Sequence, residues 1–147
     1  MSMVPARYQH PEVIQAALRE SVIAIVGMSN KPARASHAIG QYLQSHRYRI
    51  IPVNPREQEV LGEACYPTLA DAPGVPGVVN VFREPAAAPA IAQAAVAVGA
   101  KFLWLQLGVI SEAAAEIAEA GGLQVIMDRC IKVEHARYPQ LAQPGTG

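Results

Sequence analysis

The chain has 147 residues, the size of one ordinary domain, and can bury about 70% of its unfolded surface around a single core. It is 51% hydrophobic and 16% charged, with 12 Lys+Arg against 12 Asp+Glu, which excludes a disordered chain and leaves no basic footprint for nucleic acid. No apolar run approaches the roughly 20 residues of a membrane span, no signal-peptide core surrounds Arg7 and Tyr8, and Cys65 and Cys130 form neither a CxxC pair nor a disulfide framework, so a soluble, cytoplasmic single-domain protein is expected over residues 1–147.

Strand and helix signals alternate along the chain. Pro11 opens an N-terminal helix over about 11–19, carried by Val13, Ile14, Ala17 and Leu18 at three- and four-residue spacing. A core over about 21–135 follows, with a C-terminal tail over about 136–147. Val22-Ile23-Ala24-Ile25-Val26, ended by Gly27, reads as a strand covered on both faces. Ser36 is expected to cap a helix whose buried stripe is Ile39, Tyr42, Leu43 and His46. A second strand spans Tyr48 to Val53, and the stretch around Cys65-Tyr66-Pro67-Thr68-Leu69 reads as irregular connection. A third strand spans Val78 to Phe82, and an alanine-rich helix runs from about Pro89 to Val98, stopped by Gly99. Lys101 to Leu105 makes a fourth strand, Ser111 caps a helix over Glu112 to Ala120, and Leu123 to Met127 makes a fifth. The order predicts an α/β fold of three-layer, Rossmann-like, doubly wound type, with about five parallel strands in the order 3-2-1-4-5.

In such sheets ligands sit beyond the carboxyl ends of the strands, where the strand order reverses. The segment Gly27-Met28-Ser29-Asn30-Lys31-Pro32-Ala33-Arg34-Ala35-Ser36 is a long loop ending at a helix N-terminus. Free N–H groups, the helix dipole, Lys31 and Arg34 all favour an anion there. The plainer reading is a tight turn at Gly27, a cap at Ser36 and two solvated cations. A nicotinamide dinucleotide fits poorly. The G-x-G-x-x-G fingerprint lacks its second and third glycines, and Ile51-Pro52-Val53-Asn54-Pro55 has no carboxylate where a ribose 2′-OH would need one. No Walker A loop is present.

Taken together, Ile25 to Pro32 with Arg34 and Ser36, Ile51 to Pro55, Val81-Phe82-Arg83, Trp104 to Val109, and Asp128-Arg129-Cys130-Ile131-Lys132 resemble the small stand-alone CoA-binding proteins. Those are similar in turn to the N-terminal CoA-binding domain of the succinyl-CoA synthetase alpha subunit. The resemblance covers about Ser21 to His135 and implies that coenzyme A is the cofactor. By that resemblance Gly27, Ser29, Asn30, Lys31, Arg34 and Ser36 hold the phosphates, and Pro52, Val53, Asn54 and Pro55 flank the adenosine. Phe82 and Arg83, with Gln106, Leu107 and Gly108, line the route of the pantetheine arm. Gln106 and backbone near Gly108 can pair with pantetheine amides. For Trp104, inside a strand, core packing is preferred.

No catalytic set emerges. His10, His37, His46 and His135 show no metal-ligand spacing, no G-x-S-x-G elbow occurs, and His37 reads as a surface residue at a helix start. In the synthetase, ligation needs a phosphorylated histidine on a second domain and a nucleotide-binding partner subunit, and no such domain is expected in these 147 residues. The expectation is a non-catalytic binder of CoA or acyl-CoA, with no metal and room for an acyl-CoA enzyme as partner. Two alternatives stay open: an NAD(P)-binding oxidoreductase or redox regulator, and an interaction module with a vestigial pocket. Cys130, at the ligand end of the fifth strand beside Arg129, could form a mixed disulfide with CoA; burial under the C-terminal segment is the simpler reading.

Overall fold

The computed structural model describes residues 4–139 and 141. A 3-10 turn over Ala6–Gln9 leads into α1 (Pro11–Leu18), where the His10 side chain accepts from the Glu12 N–H and Pro11 takes the first helical position. Strand β1 (Val22–Val26), α2 (Ala35–Ser45) and β2 (Arg49–Val53) follow. A small antiparallel hairpin, β3 (Glu59–Val60) and β4 (Glu63–Ala64), turns on Leu61 and Gly62, both at positive φ as a two-residue hairpin demands. Then come β5 (Val78–Val81), α3 (Ala88–Val98), β6 (Phe102–Leu105), α4 (Glu112–Ala120), β7 (Gln124–Met127) and α5 (Ile131–Arg137).

The main sheet is parallel and five-stranded, in the order β2-β1-β5-β6-β7. The α/β class with helices on both faces is as expected, but the strand order is not. The third long strand, β5, lies against β1 rather than outside β2. Two features keep β2 at the edge. Pro52, paired with Ile25, has no N–H to donate to a second neighbour. The outer side of β2 is met instead by Tyr66, whose N–H donates to the Pro52 carbonyl and whose own carbonyl accepts from Asn54. The chain therefore leaves β2 over the opposite face, burying Leu69 there, and returns on the other side of β1, which keeps both crossovers right-handed.

Alternation along the strands builds two cores. Ile23, Ile25, Trp104 and Ile126 point toward α1, α2 and α5, where they meet Ile14, Leu18, Met28 and Leu43. Ala24, Val26, Val79, Val81, Leu103 and Leu105 point toward α3 and α4 and meet small residues, Ala92, Ala95, Ala114, Ala115 and Ala118. Each fully buried Leu or Ile contributes about 1.5–3 kcal/mol. Ser111 caps α4 through its hydroxyl, accepting from the Ala114 N–H, and Gly99 ends α3 in the left-handed region, both as the sequence implied.

Helix α5 was not anticipated; it closes the stretch assigned to the core and reaches only Ala136 and Arg137 of the tail, of which residues 140 and 142–147 lie outside the described residues. Among the described residues no helix is long and apolar enough to cross a membrane.

Candidate functional site

With this order the connections reverse between β1 and β5, so the carboxyl ends of those strands form the switch point. Beyond them lies a two-lobed cleft. The larger cavity, about 680 Å³, is bounded by Val26, Gly27, Arg34, Val53 to Arg56, Pro67, Thr68, Leu69, Phe82 to Glu84, and Ala90, Ile91 and Ala94 of α3. The smaller, about 440 Å³, is bounded by Gly27, Ser29, Lys31, Arg34 to Ser36, Asn54, Arg56, Glu57 and Phe82. Gly27, Arg34, Asn54, Arg56 and Phe82 border both lobes. A separate hollow of about 410 Å³, lined by Arg7, His10, Glu12, Val13, Ala16 and Gln124, lies at the opposite end of the sheet, by the start of β7.

Gly27 sits at φ +89°, and a Cβ there would lie 2.7 Å from the Phe82 carbonyl oxygen and 3.0 Å from Arg83 Cδ. Glycine is thus required both for the turn and for the approach of the two strand ends. The loop after it is tied to itself. The Ser36 hydroxyl accepts from the Ser29 N–H at 2.9 Å, and the Ser29 hydroxyl accepts from the Lys31 N–H at 3.0 Å. Ser36 therefore does not cap α2, contrary to the expectation from the sequence; Arg34 holds the N-cap position and no side chain caps that end. The reason is that the loop's backbone competes for the Ser36 oxygen. An uncapped helix start facing the cleft keeps its donors for a ligand. The Lys31, Arg34 and Arg56 side chains are exposed, and no ion pair holds them among the described residues.

Asn54 joins the loops after β1 and β2. Its side-chain amide donates to the Met28 carbonyl at 2.9 Å while its side-chain oxygen accepts from the Arg56 N–H at 2.9 Å. A carboxylate here would set oxygen against oxygen at Met28, which gives a structural cause for the missing acid after β2. Cys65, buried, donates from its thiol to the Asn54 carbonyl, and burial pushes its pKa up. Arg83 pairs with Glu84 at 3.0 Å on the lip, and the guanidinium holds the Glu84 carboxyl below its ordinary range.

Of the residues named from sequence, Gly27, Ser29, Lys31, Arg34, Ser36, Val53, Asn54, Pro55, Phe82 and Arg83 border the cleft. Asn30 does not; its amide reaches Glu57 and the Glu59 carbonyl and fastens the loop to the hairpin. Pro52 is buried one residue short of the cleft. Gln106, Leu107, Gly108 and Cys130 lie at the ends of β6 and β7, outside both lobes. Gln106 is buried and its side-chain oxygen accepts from Asn80 and from the Ile131 N–H, each at 3.3 Å. Leu107 is 64% exposed, and the Gly108 N–H donates to Asp128 at 2.7 Å. Cys130 is half-buried against the core beneath α2. Trp104 is a core residue whose indole N–H donates to the Arg129 carbonyl at 2.8 Å.

His37 is buried rather than superficial, with an Nδ1 that finds no partner among the described residues. His46 is half-buried and stacks with Tyr42 instead of completing an apolar stripe. The sequence reading missed Arg56, Glu57, Pro67, Thr68, Leu69, Ile91 and Ala94. The cation after Asn54-Pro55 and the Ile91/Ala94 pair, three apart on α3, were signals that could have found some of them.

The sequence profile of the CoA binding domain matches residues 21–136. Protein YneT of Bacillus subtilis (strain 168) is 38% identical over 132 residues, covering 90% of this chain and 96% of its own. Among solved structures, Prb, a redesign for binding of the protein PH1109, is 39% identical with a TM-score of 0.86 over 90% of this chain and 94% of its own. A protein from Pyrococcus horikoshii OT3 is 36% identical with a TM-score of 0.86, covering 93% and 97%. The dinucleotide-forming acetyl-coenzyme A synthetase 1 of Ca. Korarchaeum cryptofilum shares the fold, at 21% identity and a TM-score of 0.68 over 78% of this chain and 28% of its own.

Proposed function

The chain belongs to the CoA binding domain family, and from that premise we propose that it binds coenzyme A or acyl-CoA in the switch-point cleft and carries no catalytic machinery of its own. The observation that supports this most directly is the smaller lobe, where Lys31, Arg34 and Arg56 meet an uncapped helix start around the Gly27 cradle. CoA brings a pyrophosphate and a 3′-phosphate, and charge-assisted hydrogen bonds from such groups are the strong ones. The larger lobe offers Pro55, Leu69, Phe82, Ile91 and Ala94 to a purine ring. Gly27 borders both lobes, so a ligand that spans them would pass over its backbone. When bound, CoA supplies a thiol; the residues of this chain bind and orient the nucleotide.

Against catalysis stands the state of the cleft hydroxyls. Ser29 and Ser36 both accept backbone N–H groups, Thr68 gives its hydroxyl to the Asp71 carboxylate of its own capping turn, and no imidazole bonds to any of the three among the described residues, which supports the non-catalytic reading. The protein then serves as a carrier, sensor or partner module for an acyl-CoA enzyme.

The test is a thermal or calorimetric titration of the purified protein. CoA at 100 times its dissociation constant is expected to add about 2.7 kcal/mol of stability, while NAD adds none at equal concentration. Stabilisation by NAD but not by CoA would transfer the site to the oxidoreductase reading; stabilisation by neither would leave an interaction module.

A further inference from the structure

Resting on the reading that the cleft takes CoA, we infer that the site recognises the nucleotide half of the ligand and leaves the pantetheine arm, with its thiol or thioester, on the outer surface, so that CoA and short acyl-CoA esters bind alike. The pantetheine arm carries two amides, and a site that selects the arm must offer them free donors and acceptors. At the ends of β6 and β7, the route that the resemblance implies for the arm, groups that could answer those amides are already engaged. The Gln106 side-chain oxygen takes hydrogen bonds from Asn80 and Ile131, and the Gly108 N–H is given to Asp128. The Val109 N–H closes a turn onto the Gln106 carbonyl, and the Arg129 guanidinium is drawn to Gln9.

Leu107, 64% exposed, stands on this rim and offers apolar contact without direction. An arm lying across such a surface keeps its amides in water and adds little to affinity. The cleft at β1 and β5 is the opposite case, with Lys31, Arg34 and Arg56 all unpaired among the described residues. Selectivity follows the unpaired groups, because a ligand is rejected where its absence leaves them unmatched. The thioester end is consequently presented to solvent, as suits a module that offers an acyl group to another protein.

The experiment is isothermal titration of the full chain with five probes: CoA, acetyl-CoA, adenosine 3′,5′-bisphosphate, dephospho-CoA and pantetheine. Acetyl-CoA is expected within about twofold of CoA, the bisphosphate within about tenfold, dephospho-CoA about tenfold weaker, and pantetheine without measurable binding at millimolar concentration. CoA binding accompanied by a bisphosphate more than about a hundredfold weaker, or by acetyl-CoA more than about tenfold different from CoA, would overturn the inference alone. Absence of CoA binding would overturn the reading beneath it as well.

Discussion

Two stretches of the same sheet rim are built on opposite plans. At the ends of β1, β2 and β5 the backbone turns away at Gly27 and Asn54, and Lys31, Arg34 and Arg56 stand around a cleft without ion-pair partners among the described residues. At the ends of β6 and β7 the polar groups meet one another: Trp104 to Arg129, Asn80 to Gln106, Gln106 to Ile131, Gly108 to Asp128. Asp128 is even held at φ +59°, a conformation a non-glycine residue adopts at a cost, to complete that closure. The closed half acts as the anchor of α5, and the open half is the proposed binding surface. Substitutions in the two halves should therefore separate stability from affinity.

The largest effect is expected in the closed half. Trp104→Ala removes a fully buried indole and orphans the Arg129 carbonyl, and should cost about 3–5 kcal/mol in denaturant unfolding, with Trp104→Phe recovering part of it. CoA affinity of the folded fraction should stay within about twofold of wild type. Next comes Gln106→Leu, which keeps the volume but strips the acceptor from the Ile131 N–H and Asn80. A loss of about 1–3 kcal/mol is expected, again with CoA affinity unchanged. Strong loss of affinity in a well-folded Gln106→Leu protein would erase the division between the halves. In the open half the order inverts: Arg34→Ala should weaken CoA about tenfold and leave the melting temperature of the free protein where it was. Wild-type affinity should also fall as salt is added, and fall less steeply in this variant.

Much of the open half could be read from the residues. Gly27 ending an apolar run, then cations before a helix start, marks a candidate anion loop whatever the strand order. What went astray was the placing of β5, although Pro52 in mid-strand already marked β2 as an edge, since an interior strand needs an N–H on each side. Ser36 is a good capping residue by type, yet seven residues upstream the Ser29 N–H needed an acceptor and took it. The closed half was harder to foresee. Gln106 and Asn80 are polar residues at core positions, and nothing in their spacing tells that they answer each other. Helix α5 hid for a related reason: with Ile131 its buried positions include Glu134 and His135, so the apolar period that reveals a helix is broken. The hairpin of β3 and β4 has two residues per strand, too few for alternation to register.

The smallest effect concerns the lip of the cleft. Arg83 borders the larger lobe, but its guanidinium is held by the Glu84 carboxylate, with Nε and a terminal nitrogen both donating. A ligand phosphate that uses Arg83 must first draw it from that carboxylate, and an exposed pair of this kind is only weakly stabilising. Glu84→Gln is therefore expected to strengthen CoA binding by about twofold without altering free-protein stability. The pH dependence has a definite sign. Arg83 lowers the Glu84 pKa, so the carboxylate persists down through the ordinary carboxylate range and is neutralised only as pH falls through the lowered value. The advantage of the variant over wild type should then be flat from about pH 6 to 9 and shrink only in acid, once the carboxyl protonates and releases Arg83 unaided. Titration of the CoA phosphates near neutrality is common to both proteins and cancels from the ratio. If the ratio stays at one throughout, Arg83 does not reach the ligand, and the affinity of the open half rests on Lys31, Arg34 and Arg56.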